Sequence, residues 1–219
     1  MITLYRIDLQ FFGGRGASSV SRYGGGGAGN AISTTSLVSE RETRQAIVDE
    51  TLTVFRDFED EFGTQVTDIE LAKMDAAGRS TLAYYDQAGN IAFNEAYFDS
   101  AKMSKAYADC VSSGFHPSNG NKTALQAVAA HELGHRVTAE VGAKMGIHDI
   151  NGAATAIVKE ARKSTKHRGV VQMASKISRY ATHSNAETVA EAISDVYCNG
   201  GKARAESRAI VAVIKKYNK

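Results

Sequence analysis

Ala124-Leu125-Gln126-Ala127-Val128-Ala129-Ala130-His131-Glu132-Leu133-Gly134-His135 is the stretch on which the reading of this chain turns. Leu125, Val128 and Ala129 recur at the three-to-four spacing of a buried helix face. Asn119-Gly120-Asn121 before it is turn chemistry, and Asn121 or Thr123 can cap the helix. Gly142 and Gly146 follow where a helix should stop. Residues four apart on a helix project from one face, so His131 and His135 can reach the same metal ion. Glu132 stands beside the first ligand and can lean over the open coordination position, where a water would sit. The competing reading is two core histidines bonded to their neighbours. A nearly all-apolar helix carrying this motif favours the metal.

A further ligand lies downstream. Glu187, Glu191 and Asp195 recur at four-residue spacing in Tyr180-Ala-Thr-His-Ser-Asn-Ala-Glu187-Thr-Val-Ala-Glu191-Ala-Ile-Ser-Asp195. Val189, Ala190, Ile193 and Val196 lie between them and place this helix against the core. Carboxylates beside an apolar face are costly unless paired or bound to metal. A catalytic zinc takes three protein ligands and keeps one position for water. One carboxylate of the stripe would complete that set, and the next along could accept the hydrogen bond of a ligand imidazole and fix its tautomer. An exposed acidic stripe is the alternative.

With both motifs in view, the chain resembles the zincin metallopeptidases of the gluzincin type. Two registers compete. Glu191-Ala-Ile-Ser-Asp195 is similar to the thermolysin pattern, which implies Glu191 as ligand and Asp195 as its outer partner. Tyr180, Glu187 and Glu191 together resemble the anthrax-lethal-factor type of zincin domain. That likeness implies Glu187 as ligand, Glu191 behind it, and Tyr180 facing the scissile carbonyl; it matches more positions and is the favoured register. His183 is a second candidate for the oxyanion. The resemblance implies an α+β fold, with a small mixed or antiparallel sheet packed on the active-site helix and an edge strand that binds extended substrate by strand addition. Thr81–Asp86 and Ile91–Asn94 read as two strands joined by a turn at Gln87–Asn90, and Val66–Met74 as another. Gly114-Phe115-His116-Pro117 resembles the approach loop of phage-encoded zincin-like domains. The likeness runs from about Val66 to Gly200 and rests on the two helices.

Composition sets outer bounds. A chain of 219 residues with 43% hydrophobic and 23% charged residues can bury a sizeable core. The net charge of +2 points to no dominant polyanionic partner. Lys159, Arg162, Lys163, Lys166 and Arg168, and again Lys202, Arg204 and Arg208, read as solvated helix faces rather than a nucleic-acid surface. Cys110 and Cys198 lack metal spacing and form no disulfide framework, which fits a reducing compartment. No apolar run approaches a membrane span, and Arg6 and Asp8 interrupt the opening stretch, so neither a membrane partner nor a secretory signal is expected.

The expected organisation is a Gly-rich N-terminal tail over residues 1–36 and a zincin-like domain over 37–219. Glycine is dense in Gly13–Gly29, where too little apolar surface exists to offset the ordering entropy, so a flexible tether is expected. Leu4, Ile7, Leu9, Phe11 and Phe12 precede it, as either a docking peptide or a strand added to the body. Asp8-Leu9-Gln10-Phe11-Phe12 with the glycines after it resembles the N-termini of phage head and head-associated proteins. Ile47, Thr51, Val54, Phe55, Phe58 and Phe62 form a helical stripe from Leu37 to Gly63, with Ser39 and Glu42 at capping-box spacing. Asp99–Ser112, Asn151–Thr165 and Val170–Tyr180 read as further helices.

The expected activity is zinc-dependent peptide hydrolysis, with Zn2+ held by His131, His135 and Glu187, and with Glu132 as general base. Mn, Co or Fe would suit the same donors. The implied partner is a protein or peptide substrate, in a host cytoplasm or a phage virion. The alternative is a virion or head-morphogenesis protein that uses the same body for binding, with its N-terminal peptide on phage head proteins. A regulatory metallopeptidase is a third reading, without a visible sensor segment.

Overall fold

A computed structural model describes residues 7–10, 34–64, 69–72, 81–85, 91–94 and 100–218. Within them the fold is mostly helical with one small mixed sheet, an α+β arrangement. The elements run β1 (Ile7–Gln10), α1 (Thr34–Phe62), β2 (Ile69–Ala72), β3 (Thr81–Tyr85), β4 (Ile91–Asn94), α2 (Ser100–Ser112), α3 (Ala124–Lys144), α4 (Ile150–Lys163), α5 (Val170–Ala174), α6 (Asn185–Asn199) and α7 (Ala205–Tyr217).

The sheet order is β1-β3-β4-β2. β3 and β4 are antiparallel, with Ala83 opposite Phe93 and Tyr85 opposite Ile91, as the strand–turn–strand pattern predicts. β2 joins β4 in parallel, within the stretch read as a strand from Val66 to Met74. The expected turn at Gln87–Asn90 lies outside the described residues. β3 is the strand that packs on α3, and Tyr85 at its end accepts a hydrogen bond from the Arg136 guanidinium at 3.4 Å. Its outer side is not a free edge. β1 pairs there antiparallel, Ile7 opposite Tyr85 and Asp8 opposite Tyr84, with an irregularity before Gln10. Of the two readings of the opening peptide, Ile7–Gln10 takes the strand. The Gly-rich tether read in residues 13–29 lies outside the described residues.

α1 backs the motif helix with the stripe its sequence predicts: Thr51, Val54, Phe58 and Phe62 are buried and Phe55 partly so. Gly63 ends it with φ +68, the left-handed geometry a glycine reaches without strain. The start differs from expectation: the helix already runs at Thr34, so Ser39 lies inside it and is no cap. α3 begins at Thr123, whose hydroxyl accepts from Gln126 N–H while the Gln126 side chain accepts from Thr123 N–H. Such reciprocal capping is worth about 1 kcal/mol. Of the two glycines expected to stop α3, Gly146 does so, at φ +75 after the cap Met145.

Gly142 and Gly134 serve contact instead. A Cβ on Gly142 would lie 2.5 Å from Ala153 Cβ of α4, and one on Gly134 would lie 2.9 Å from Ala190 Cα of α6. The two motif helices therefore touch backbone to backbone. Val128, Leu133, Val137 and Val141 of α3 are fully or almost fully buried in the same core as Val189 and Ile193 of α6. Each such side chain contributes about 1.5–3 kcal/mol. Ser194 Oγ donates to Ala127 O at 2.9 Å and pins the crossing.

One expected helix is corrected. Val170–Tyr180 is not continuous: α5 ends at Ala174, and a separate 3-10 turn covers Tyr180–Thr182. Arg179 N–H donates to Gly114 O and Tyr180 N–H to Phe115 O, so this segment bonds across to the loop after α2 rather than up its own helix. Local propensity loses there to tertiary pairing.

Replacing Gly134 by alanine is expected to force α6 off α3 and cost about 1–3 kcal/mol. Urea denaturation of the variant checks this; unchanged stability would contradict the close approach.

Candidate metal centre

The α3–α6 contact sets His131 and His135, one turn apart on α3, against Glu187 in the first turn of α6. Ser184 caps α6, its hydroxyl accepting from Glu187 N–H at 3.1 Å. That spacing suits a capping box, but the Glu187 carboxylate turns inward, toward the imidazoles. A helix N-terminus also favours the negative charge there. His131 Nε2 lies 3.1 Å from Glu187 Oε2 and His135 Nε2 lies 3.7 Å from it. One ligand atom from each of the three residues falls within 4.8 Å of the others, a group that can hold a metal ion.

The donor atoms fit that use. His131 Nε2, both ring nitrogens of His135 and Glu187 Oε2 are buried and make no hydrogen bond of proper geometry. Buried polar atoms without well-formed hydrogen bonds are costly, and a shared cation is one way to satisfy those that converge here. Two imidazoles and a carboxylate are also the donor set of an open catalytic zinc site. Glu132 is fully buried in the same helix turn.

Glu191 sits behind this group and is not part of it. Its Oε1 accepts from His131 Nδ1 at 2.8 Å and from His116 Nδ1 at 3.0 Å, and its Oε2 accepts from Ser178 Oγ at 2.6 Å. Burial alone would raise its pKa, but His116 and His131 hold the carboxyl far below the usual range. An ionised carboxylate only accepts, so both Nδ1 atoms carry protons, and when the His131 ring is neutral its lone pair lies on Nε2. Burial opposes charge on His131, yet Glu187 and Glu191 outweigh it and push the imidazole up to about 10. Burial dominates at His135 and pushes it down to about 4.

Asp195, the outer partner in the thermolysin-like register, is placed elsewhere. It accepts from Arg204 N–H at 2.9 Å, Ser207 Oγ at 2.6 Å and Asn199 Nδ2 at 2.9 Å, and it pairs with the Arg204 guanidinium at 3.3 Å. Those bonds fasten the corner between α6 and α7.

Tyr180 is buried, with its ring 5.8 Å from that of His131. It is wedged among Phe115 at 5.1 Å, His116 at 5.3 Å and His183 at 5.0 Å. His183 is exposed, with its ring tilted 58° to that of Tyr180. Cys110 and Cys198 are free and buried, and burial pushes each thiol up to about 12. Ion pairs hold parts of the basic surface, such as Lys216 with Glu160 at 2.6 Å. Among the described residues no helix is long and apolar enough to cross a membrane.

Two polar contributors, His116 and Ser178, carry no role in the sequence reading. The available signal is a count of donors. A buried carboxylate has room for about four hydrogen bonds, and one ligand imidazole supplies a single one. The chain matches no protein-family model, no curated protein and no solved structure.

Metal uptake requires His131 Nε2 without its proton, whereas His135 is already neutral at pH 7. Loading with zinc should therefore release a proton, and affinity should strengthen about tenfold per unit from pH 7 to 9. Competition against a chromophoric chelator at several pH values measures the slope. A flat profile would mean that His131 is neutral in the metal-free protein.

Proposed function

We propose that this protein is a zinc-dependent metallopeptidase of zincin type. The observation that carries the reading is the convergence of His131, His135 and Glu187 donor atoms within 4.8 Å in the core, on a helix where Glu132 follows the first ligand. His131, His135 and Glu187 would hold the ion, and Glu191 would fix the His131 ring. Zinc bound there supplies Lewis acidity toward a scissile carbonyl and makes water a nucleophile near neutral pH.

The chain's own groups do the rest. Glu132 takes the proton from the attacking water and passes it to the leaving amine. A fully buried carboxylate suits that shuttle, because few waters compete for the proton. Tyr180 offers its phenol to the oxygen that gains charge during attack. His183, on the solvent side of Tyr180, supports that ring and is the second candidate for the role. His131, Glu132 and His135 are 2%, 0% and 0% exposed, so a peptide reaches them only after covering groups move aside. An extended peptide that adds to β3 has to displace β1 first.

The pairing of Ile7–Gln10 with β3 bears on the alternative reading as a virion or head-morphogenesis protein. A docking peptide held in the sheet must leave it before reaching a partner. A phage or prophage origin rests on two resemblances, that of the opening peptide and that of the Gly114–Pro117 loop. Glu132→Gln separates the readings, since a binding role tolerates it and a hydrolytic role does not.

Glu132→Gln is expected to retain one zinc per chain and to lose about 10²–10⁴-fold in peptide hydrolysis. Glu187→Ala is expected to lose the metal, and Asp195→Ala to lose stability while keeping zinc affinity. Metal analysis, a peptide-library digest and thermal melts check the three together. Undiminished hydrolysis by Glu132→Gln would contradict the assignment, and loss of zinc from Asp195→Ala would revive the other register.

A further inference from the structure

His116 belongs to none of the roles above, yet it is 2% exposed and its Nδ1–H donates to Glu191 Oε1 at 3.0 Å. It enters from a loop 75 residues away in sequence. The loop is built to deliver it. Gly114, at φ +69, ends α2 with its N–H on Val111 O, and Phe115 N–H bonds to Cys110 O. Arg179 and Tyr180 N–H groups then clamp Gly114 and Phe115 from the other side. The His116 ring lies parallel to Tyr107, with centroids 5.6 Å apart and planes 4° apart, and Tyr107 Oη donates to Pro117 O at 3.2 Å. Its edge meets Tyr180 at 5.3 Å.

This gives Glu191 Oε1 two imidazole donors at once, from His131 and His116, while Ser178 holds Oε2. Without His116, the only group on Oε1 would be the His131 ring that the carboxylate is to orient, with Ser178 alone fixing the other oxygen. With His116 on Oε1, both oxygens are anchored by groups other than His131, and the plane and tautomer of His131 follow from the carboxylate.

We propose that His116 is a positioning residue for the metal centre, acting through Glu191 to fix the His131 imidazole with Nε2 directed at the ion. The inference rests on the metal reading above. Groups that orient a ligand histidine are worth about 10–100-fold in metal affinity.

Two substitutions separate this role from simple packing. His116→Phe keeps a ring stacked on Tyr107 and edge-to-face with Tyr180 but has no donor. His116→Asn gives up the ring and keeps an N–H near the place of Nδ1. Zinc affinity of the full chain is measured by chelator competition, with zinc alone as the probe and thermal melts of the metal-free proteins alongside. The expected order is wild type and Asn within about threefold of each other, and Phe weaker by about 10–100-fold. The reverse order, with Phe like wild type and Asn weakened, shows packing and overturns the inference. If Phe does not fold, Asn decides alone: affinity within about threefold upholds the donor role, and a loss of about tenfold or more overturns it. A wild-type chain that takes up no zinc overturns the metal reading itself, and this inference with it.

Discussion

The backbone contact between Gly134 and Ala190 is the constraint on which the site depends. A Cβ at position 134 would sit 2.9 Å from Ala190 Cα, so only glycine lets α3 and α6 lie this close. Glu187 and Glu191 flank Ala190 on α6, and His131 and His135 flank Gly134 on α3. The approach therefore brings both carboxylates within hydrogen-bond reach of His131, which is held at 3.1 Å by Glu187 and 2.8 Å by Glu191. A larger residue at either contact would separate acid from base by more than a hydrogen bond tolerates.

Electrostatics then assigns the two carboxylates different tasks. Burying charge costs several kcal/mol per ion unless partners compensate. Glu191 has three such partners and needs no cation of its own. Glu187 Oε2 lacks a well-formed hydrogen bond and faces two Nε2 atoms that lack them too. Glu187 pairs with His131 without a well-formed hydrogen bond, and a divalent ion would satisfy its oxygen together with both Nε2 atoms. The same convergence of donor atoms is compatible with a bound cation.

Both helices were legible in the sequence because their apolar residues recur at helical spacing, and because Asn121 or Thr123 can cap the first; the Ser184 cap of α6 emerges only in the structure. The strand pair Thr81–Tyr85 and Ile91–Asn94 was legible for the same local reasons. What separates Glu187 from Glu191 is not local: both lie on one stripe, and only the depth of each against α3 distinguishes them. His116 and Ser178 come from loops whose course is set by tertiary bonds, Arg179 to Gly114 and Tyr180 to Phe115, and no periodicity reports those. The same bonds cut short the helix expected over Val170–Tyr180. Asp195 matched a familiar spacing, yet Arg204 and Ser207 claim it for the α6–α7 corner.

The most direct test is a crystal structure of the zinc-soaked protein with anomalous data collected at the zinc edge. A single strong peak is expected about 2.0–2.2 Å from His131 Nε2, His135 Nε2 and a Glu187 carboxylate oxygen, with Glu191 still bonded to His131 Nδ1. A peak ligated by Glu191, or no peak between α3 and α6, would contradict the assignment.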